Sequence, residues 1–323
     1  MTTVTCTHCR QPNPGGTPVC FACGGRIEAG LVAGQVLQDR YLVQRTLGLG
    51  GFGATYLVED KTSGSLVVLK ELVLALAHPQ AVQAFEREAE VLETLIHDRI
   101  PRFFGYFEEK DRCYLVQQFI SGKNLKQYLD ELGPFEEEAI IAVLIPVLET
   151  LDYLHTLPQP VIHRDIKPEN IMRTGDGRVF IVDFGAVKAV IQGAVPSRTA
   201  TNIYTAGYAP PEQTHGARVF PSSDLYALGA TAIHLLTGTH PSQLFDPAYM
   251  CIRWSGDVSL ELRHILEKMT QPTPVARYPR AAAALVDLRR IVAWHEPEAE
   301  GPALSEPPPG APPAAKGVPA AGP

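Results

Sequence analysis

His163-Arg164-Asp165-Ile166-Lys167-Pro168-Glu169-Asn170, followed by two short apolar stretches and then Asp183-Phe184-Gly185, is the run that decides how this chain folds. Two carboxylates, an amide and a lysine lie close together here, with apolar strand-like sequence at Ile171-Met172 and Val179 to Val182 between them. Such a composition suits holding a divalent cation and a phosphate beside a nucleophile. Asp183 and Asn170 offer the hard oxygen ligands that Mg²⁺ takes. Lys167 offers a point positive charge to a transferring phosphoryl group, and Asp165 can accept the proton of an attacking hydroxyl.

The run resembles the catalytic loop and the metal-binding loop of eukaryotic-type protein kinases. That resemblance implies an α+β, two-lobed protein kinase fold over residues 41–295: a small β-rich N-lobe with one helix (41–118) and a larger helical C-lobe (119–295). Upstream, a strand from Tyr41 to Leu47 leads into Gly48-Leu49-Gly50-Gly51-Phe52-Gly53. A lone GxGxxG equally suggests a dinucleotide fold. Here β-rich sequence, Ala54 to Val58, follows the loop instead of a helix, which favours a hairpin draped over phosphates. Gly48, Gly50, Gly51 and Gly53 let the backbone approach phosphate oxygens, and Phe52 at the tip can close the site against water.

Lys70 ends the next strand. A helix over 80–96 follows, with Val82, Phe85, Ala89, Leu92 and Ile96 on one apolar face. Glu88 abuts that face and is assigned as the partner of Lys70; Glu86, Glu90 and Glu93 read as solvated. Gln118 and Ile120 align with the hinge whose backbone meets adenine, and Gln117 falls at the gatekeeper position. A helix over 134–156 carries Ile140, Val143, Leu144, Val147, Leu151 and Leu154 on a broad apolar face, with Pro146 inside it. Pro210-Pro211-Glu212 resembles the motif that closes the activation segment. Arg277 resembles the arginine that pairs with that glutamate. Asp224 reads as a helix cap and, by resemblance, as a brace for the catalytic loop.

The resemblance implies a serine/threonine protein kinase using ATP and Mg²⁺ on protein substrates, similar to bacterial and especially cyanobacterial enzymes. Lys167 and Thr205 carry the likeness to the serine/threonine branch. Asp165 and Lys167 are implied as catalytic, with Lys70 and Glu88 fixing the triphosphate and Asn170 and Asp183 binding Mg²⁺. Arg164 beside Asp165 suggests control by phosphate on the loop that holds Ser197, Thr199 and Thr201, with Thr199 or Thr201 as the self-modified residue. The alternative is a nucleotide-binding pseudokinase scaffold, against which the intact Lys70, Asp165 and Asp183 speak. Thr55, Val68, Tyr204 and Pro210 depart from the family pattern without removing a charge or a metal ligand.

Four of the six cysteines sit at the start, as Cys6-Thr-His-Cys9 and Cys20-Phe-Ala-Cys23 around a Pro/Gly-rich span. Two C-x₂-C knuckles can point four thiolates at one ion, so residues 1–28 read as a zinc ribbon with structural Zn²⁺; a redox-switching disulfide pair is the alternative. So small a segment has almost no core without its metal. Arg10 and Arg26 are its fixed positive charges, too few for a strong phosphate footprint, so protein docking or a structural role is expected and nucleic acid is not. Cys113 and Cys251 read as buried thiols. Residues 29–40 form a connector.

A net charge of -7 argues against nucleic acid as the main partner. The apolar run Ala139 to Leu148 is too short to span a bilayer, and the start of the chain has no apolar signal region, so the sequence reads as cytoplasmic. Residues 296–323 are Pro/Ala/Gly-rich and read as a disordered tail.

Overall fold

The computed structural model describes residues 3–6, 9–14, 20–23, 30–49, 54–73, 79–110, 112–184, 188–189, 205–215 and 217–295. Outside them lie Gly50, Gly51, Phe52, Gly53, Gly185, Ser197, Thr199, Thr201, Tyr204 and the tail 296–323. At the start of the chain β1 (Thr3–Thr5) and β2 (Pro12–Pro14) pair antiparallel beside the cysteine knuckles. The N-lobe is a six-stranded sheet of β3 (Val36–Leu37), β4 (Tyr41–Leu49), β5 (Ala54–Asp60), β6 (Ser65–Val73), β7 (Phe103–Glu109) and β8 (Arg112–Gln118), in the order β3-β4-β5-β6-β8-β7. Every pairing in it is antiparallel. Thr55 and Leu115 flank Lys70 across the ladder, so the lysine sits on a central strand.

Helix α1 (Pro79–Thr94) packs Phe85 and Leu92 inward. Glu86, Glu90 and Glu93 are exposed, as their positions predict. Ile96 differs: it lies beyond the helix end and is 87% exposed, whereas Leu95 turns into the core. Thr94 bonds back to the Val91 carbonyl, and the Ile96 N–H donates to the Tyr153 hydroxyl at 3.0 Å. The helix therefore stops before the apolar stripe reaches Ile96.

In the C-lobe, β9 (Gly122–Asn124) runs into α2 (Leu125–Leu132), capped reciprocally by Asn124 and Gln127. Gly133, at φ 84°, ends α2, so Pro134 lies between two helices instead of opening one. α3 (Glu137–Thr156) then buries all six residues of the anticipated face, from Ile140 to Leu154. It is long and apolar enough to cross a membrane, with mean hydropathy 1.5, which is further than the run Ala139 to Leu148 suggests. Yet 61% of its apolar window is buried inside the fold, as in a core helix.

β10 (Val161–Ile162) precedes the catalytic loop, and the hairpin β11 (Ile171–Thr174) and β12 (Val179–Ile181) follows it. β13 (Lys188–Ala189) pairs back on β10. α4 (Pro211–Thr214), α5 (Pro221–Thr237), α6 (Pro241–Leu244), the pair β14 (Phe245–Asp246) and β15 (Cys251–Ile252), α7 (Leu260–Met269) and α8 (Ala281–His295) complete the lobe. α5 is buried nearly all round. A Cβ on Gly229 would come within 2.9 Å of Met269 Cβ, so glycine lets α5 and α7 touch. Cys113 is buried as expected; Cys251, on a two-residue edge strand, is only partly covered.

Two polar sites pin the lobe. Arg277 places Nη1 2.7 Å and Nη2 2.9 Å from the Glu212 carboxylate and donates to the Gln271, Pro272 and Ser222 carbonyls. Removing the guanidinium leaves the largely buried Glu212 charge without its ion-pair partner, with the Ser223 hydroxyl as its remaining side-chain donor. Arg277→Met should cost about 3–5 kcal/mol of stability, read as a lowered urea midpoint. His234 Nδ1 meets the Tyr208 hydroxyl at 2.6 Å, and burial, then the charge of His240, lowers its pKa from 6.5 to about 4. The folded chain keeps this imidazole neutral while the unfolded chain takes up a proton. Its contribution is thus whole above pH 6.5 and is lost as pH falls toward 4. Urea titrations across that window should show a loss on the order of 3 kcal/mol that His234→Gln removes.

Candidate active site

The cleft is built around one ammonium. Lys70 Nζ lies 2.8 and 2.7 Å from the two Glu88 oxygens and 2.7 Å from Asp183 Oδ1. β6 supplies the lysine, α1 the glutamate and the loop after β12 the aspartate. Burial pushes the Lys70 pKa down, but the Asp183 and Glu88 charges outweigh it and hold the pKa above its ordinary value, so the ammonium stays charged. Glu88 is 2% exposed and Asp183 48% exposed. The glutamate is thus a fixed partner, while the aspartate faces open space.

The hairpin β11–β12 fixes the two oxygen donors relative to each other. Ile171 sits opposite Ile181, and the Val182 N–H donates to the Asn170 carbonyl at 2.9 Å. Asn170 and Asp183 consequently leave the same end of one hairpin. The Asn170 amide donates to the Asp165 carbonyl at 2.8 Å and to Asp165 Oδ2 at 2.9 Å. Lys167 Nζ lies 2.7 Å from that same Oδ2 and donates to the Thr205 hydroxyl, which donates to Asp165 Oδ1 at 2.7 Å. Asp165, Lys167, Asn170 and Thr205 form one closed set.

Below it, Asp224 is fully buried and accepts the backbone N–H groups of His163 (2.9 Å) and Arg164 (2.8 Å), and His155 Nε2 approaches at 2.8 Å. Burial works against its charge, but the His155 contact and the donors keep its pKa low. Asp224 lies inside α5, so its role is to brace the loop; the cap reading fails because Ser223 Oγ, one residue earlier, takes the Phe220 N–H at the helix start. Arg164 has φ 69° and Asp183 φ 64°, a left-handed backbone that side chains adopt only where surroundings impose it. His163 is buried with its ring 4.8 Å from Phe184, edge to face. Arg164 Nε is buried without a partner among the described residues.

Of the nucleotide positions anticipated from sequence, Gly48 is described and exposed on β4, and Gly50, Gly51, Phe52 and Gly53 lie outside the described residues. Gln118, at the end of β8, bonds Arg102 through its N–H and Oε1, and Ile120 is buried just beyond. Gln117 is partly covered, between Val68 and Phe103 in the sheet register. Two residues had no sequence signal: His155, whose partner is far away in the chain, and Gln213, whose amide donates to the Arg164 carbonyl at 2.8 Å.

At the amino terminus the four sulfurs of Cys6, Cys9, Cys20 and Cys23 lie within 4.8 Å of one another, with Cys6–Cys23 at 3.6 Å and Cys9–Cys20 at 3.4 Å. Four thiolates at about 2.3 Å from one tetrahedral ion are separated by roughly 3.8 Å, so the donor set fits zinc in number, type and spacing. Burial raises the Cys20 pKa, but the Cys23 and Ala22 backbone N–H groups and the Asn13 amide lower it to about 6. His8 lies outside the described residues.

Comparison with known proteins agrees with this cleft. The family model described as protein kinase domain matches residues 41–285. Serine/threonine-protein kinase F of Synechocystis sp. is 38% identical over 276 residues, covering 78% of this chain and 55% of that protein. Serine/threonine-protein kinase B of the same organism is 35% identical over 302 residues, covering 86% and 50%. Serine/threonine-protein kinase PknA of Nostoc sp. is 36% identical over 280 residues, covering 81% and 49%. The chain thus spans about half the length of these curated relatives. With a family match over most of its length and a cleft that gathers Lys70, Glu88, Asp165, Asn170 and Asp183, the chain belongs to the protein kinase family.

Proposed function

We propose that this chain transfers the γ-phosphate of Mg-ATP to serine or threonine hydroxyls of protein substrates. The observation that carries the reading is Lys70 Nζ held between Glu88 and Asp183, with Asp183 tied through one hairpin to Asn170 and Asp165. Lys70, fixed by Glu88, binds the α- and β-phosphates. Asn170 and Asp183 supply the oxygen ligands for Mg²⁺, which neutralises charge on the phosphates when bound. Asp165 orients the substrate hydroxyl and takes its proton, and Lys167 steadies the charge on the transferring group. Gln118 and Ile120 present backbone groups to adenine, and Gly48 to Gly53 cover the phosphates. The Arg164 Nε, buried and without a partner among the described residues, supports a phosphate on the loop holding Thr199 and Thr201 as a further ligand.

Positioning and electrostatics supply most of the rate in such chemistry. Asp165→Ala and Lys70→Met should therefore stay folded while losing about a hundredfold or more of phosphotransfer. Incubation with labelled ATP and Mg²⁺, followed by mapping of self-modified residues, measures this. Near-normal turnover in either variant refutes these roles and favours a scaffold whose chemistry lies elsewhere.

The amino-terminal unit is proposed as a structural zinc ribbon that serves as a protein-docking module in the cytoplasm. The number and spacing of the four sulfurs support the metal. Metal analysis of the purified chain should find close to one zinc per chain, lost in Cys6→Ser. Zinc far below that in the unmutated protein favours a redox pair instead.

A further inference from the structure

The face of the N-lobe sheet turned away from Lys70 carries a charged group that phosphotransfer does not use. Glu71 follows Lys70 on β6, and the pleat sends the two side chains to opposite faces. Glu71 is 5% exposed. Its Oε1 accepts from Arg112 Nη1 at 2.7 Å and from the hydroxyl of Tyr114, its cross-strand neighbour, at 3.1 Å. Its Oε2 accepts from the Tyr56 hydroxyl at 3.1 Å. Burial, followed by the Glu71 charge, raises both phenol pKa values, so both hydroxyls keep the proton they donate.

The Tyr56 oxygen has a second partner. It accepts the Leu31 N–H at 3.1 Å, which ties the sheet to the segment running into β3. Leu31 and Leu37 pack into the same cluster as Tyr56, Leu69 and Tyr114. Gly30 comes so close that a Cβ there would stand 2.7 Å from the Tyr56 hydroxyl. Gly34 donates to the Val43 carbonyl at 2.9 Å, and the Gln35 carbonyl accepts the Val43 N–H at 2.8 Å. Residues 30–37 thus lie as a fastened strap across this face, directly over the Glu71 network.

We infer that Glu71 is a positioning residue for Lys70, and that the strap 30–37, seated on Tyr56, sets where β6 holds the ammonium that meets the nucleotide. The inference rests on the kinase reading of the cleft. A buried carboxylate that loses a donor must move to recover one. Any shift of β6 that recovers a donor for Glu71 carries Lys70, the adjoining residue, with it.

The test uses the full chain and the affinity for a non-hydrolysable ATP analogue with Mg²⁺, measured by calorimetry on protein shown to be folded by circular dichroism. Tyr56→Phe keeps the ring and removes both hydrogen bonds. Gly30→Val drives a side chain against the Tyr56 hydroxyl and so parts the strap from the network while every network residue keeps its identity. Both should weaken nucleotide binding roughly tenfold, within the usual range for coupled sites. Val58→Ala removes packing from the same cluster but leaves the strap and the network intact; it should lower the melting temperature and leave affinity unchanged. Unaltered affinity in Tyr56→Phe or in Gly30→Val overturns the inference, as does an equal loss in Val58→Ala. An unmutated chain that binds no Mg-nucleotide overturns the kinase reading itself.

Discussion

An ammonium between two carboxylates holds the two lobes in register. Lys70 comes from the sheet, Glu88 from α1 and Asp183 from the hairpin of the other lobe, and each lies within 2.8 Å of its partner. Charges taken out of water are tolerated only when paired. The two carboxylates are not equivalent, however. Glu88 is enclosed, whereas Asp183 opens to solvent. The arrangement therefore encloses one ion pair and leaves the other at the solvent boundary.

Below the cleft the backbone is bent into conformations it would not choose. Arg164 and Asp183 both lie at positive φ. Such residues persist where neighbours over-determine them. Asp224 takes two consecutive amides of the catalytic loop, Gln213 takes the Arg164 carbonyl, and the Val182 amide reaches Asn170. The Asp224 carboxylate, 0% exposed, is in turn paired with His155. Arg164 is thus held from both sides, its N–H by Asp224 on α5 and its carbonyl by Gln213 on α4.

Much of this was legible in the sequence, because the chemistry needs particular residue types in a particular order. Glu88 could be chosen among four glutamates since the helical period put it alone beside the apolar face. The same period failed at Ile96, because a stripe of apolar residues does not say where the helix stops; Thr94 and the Tyr153 hydroxyl decide that. The start of α3 was misplaced for a similar reason, as Gly133 ends a separate helix before it. Cys251 looked buried among apolar neighbours but lies on a short edge strand. His155 and Asp224 meet across distant parts of the chain, and no local pattern announces such a pair. Pleat alternation separates Glu71 from Lys70 but gives no hint of the phenols that receive it.

The Glu71 network raises a question that stability alone does not answer. Buried ionic sets can often be replaced by apolar side chains of similar shape at little cost, and an all-apolar outer face would serve the sheet. What such a face lacks is a single arrangement, since apolar clusters repack when neighbours change. A carboxylate with Arg112, Tyr114 and Tyr56 around it accepts few orientations. Tyr56 in turn fixes the Leu31 amide. The residue adjoining Lys70 is thus held in one orientation, and that specification extends outward to Leu31 at the start of the strap.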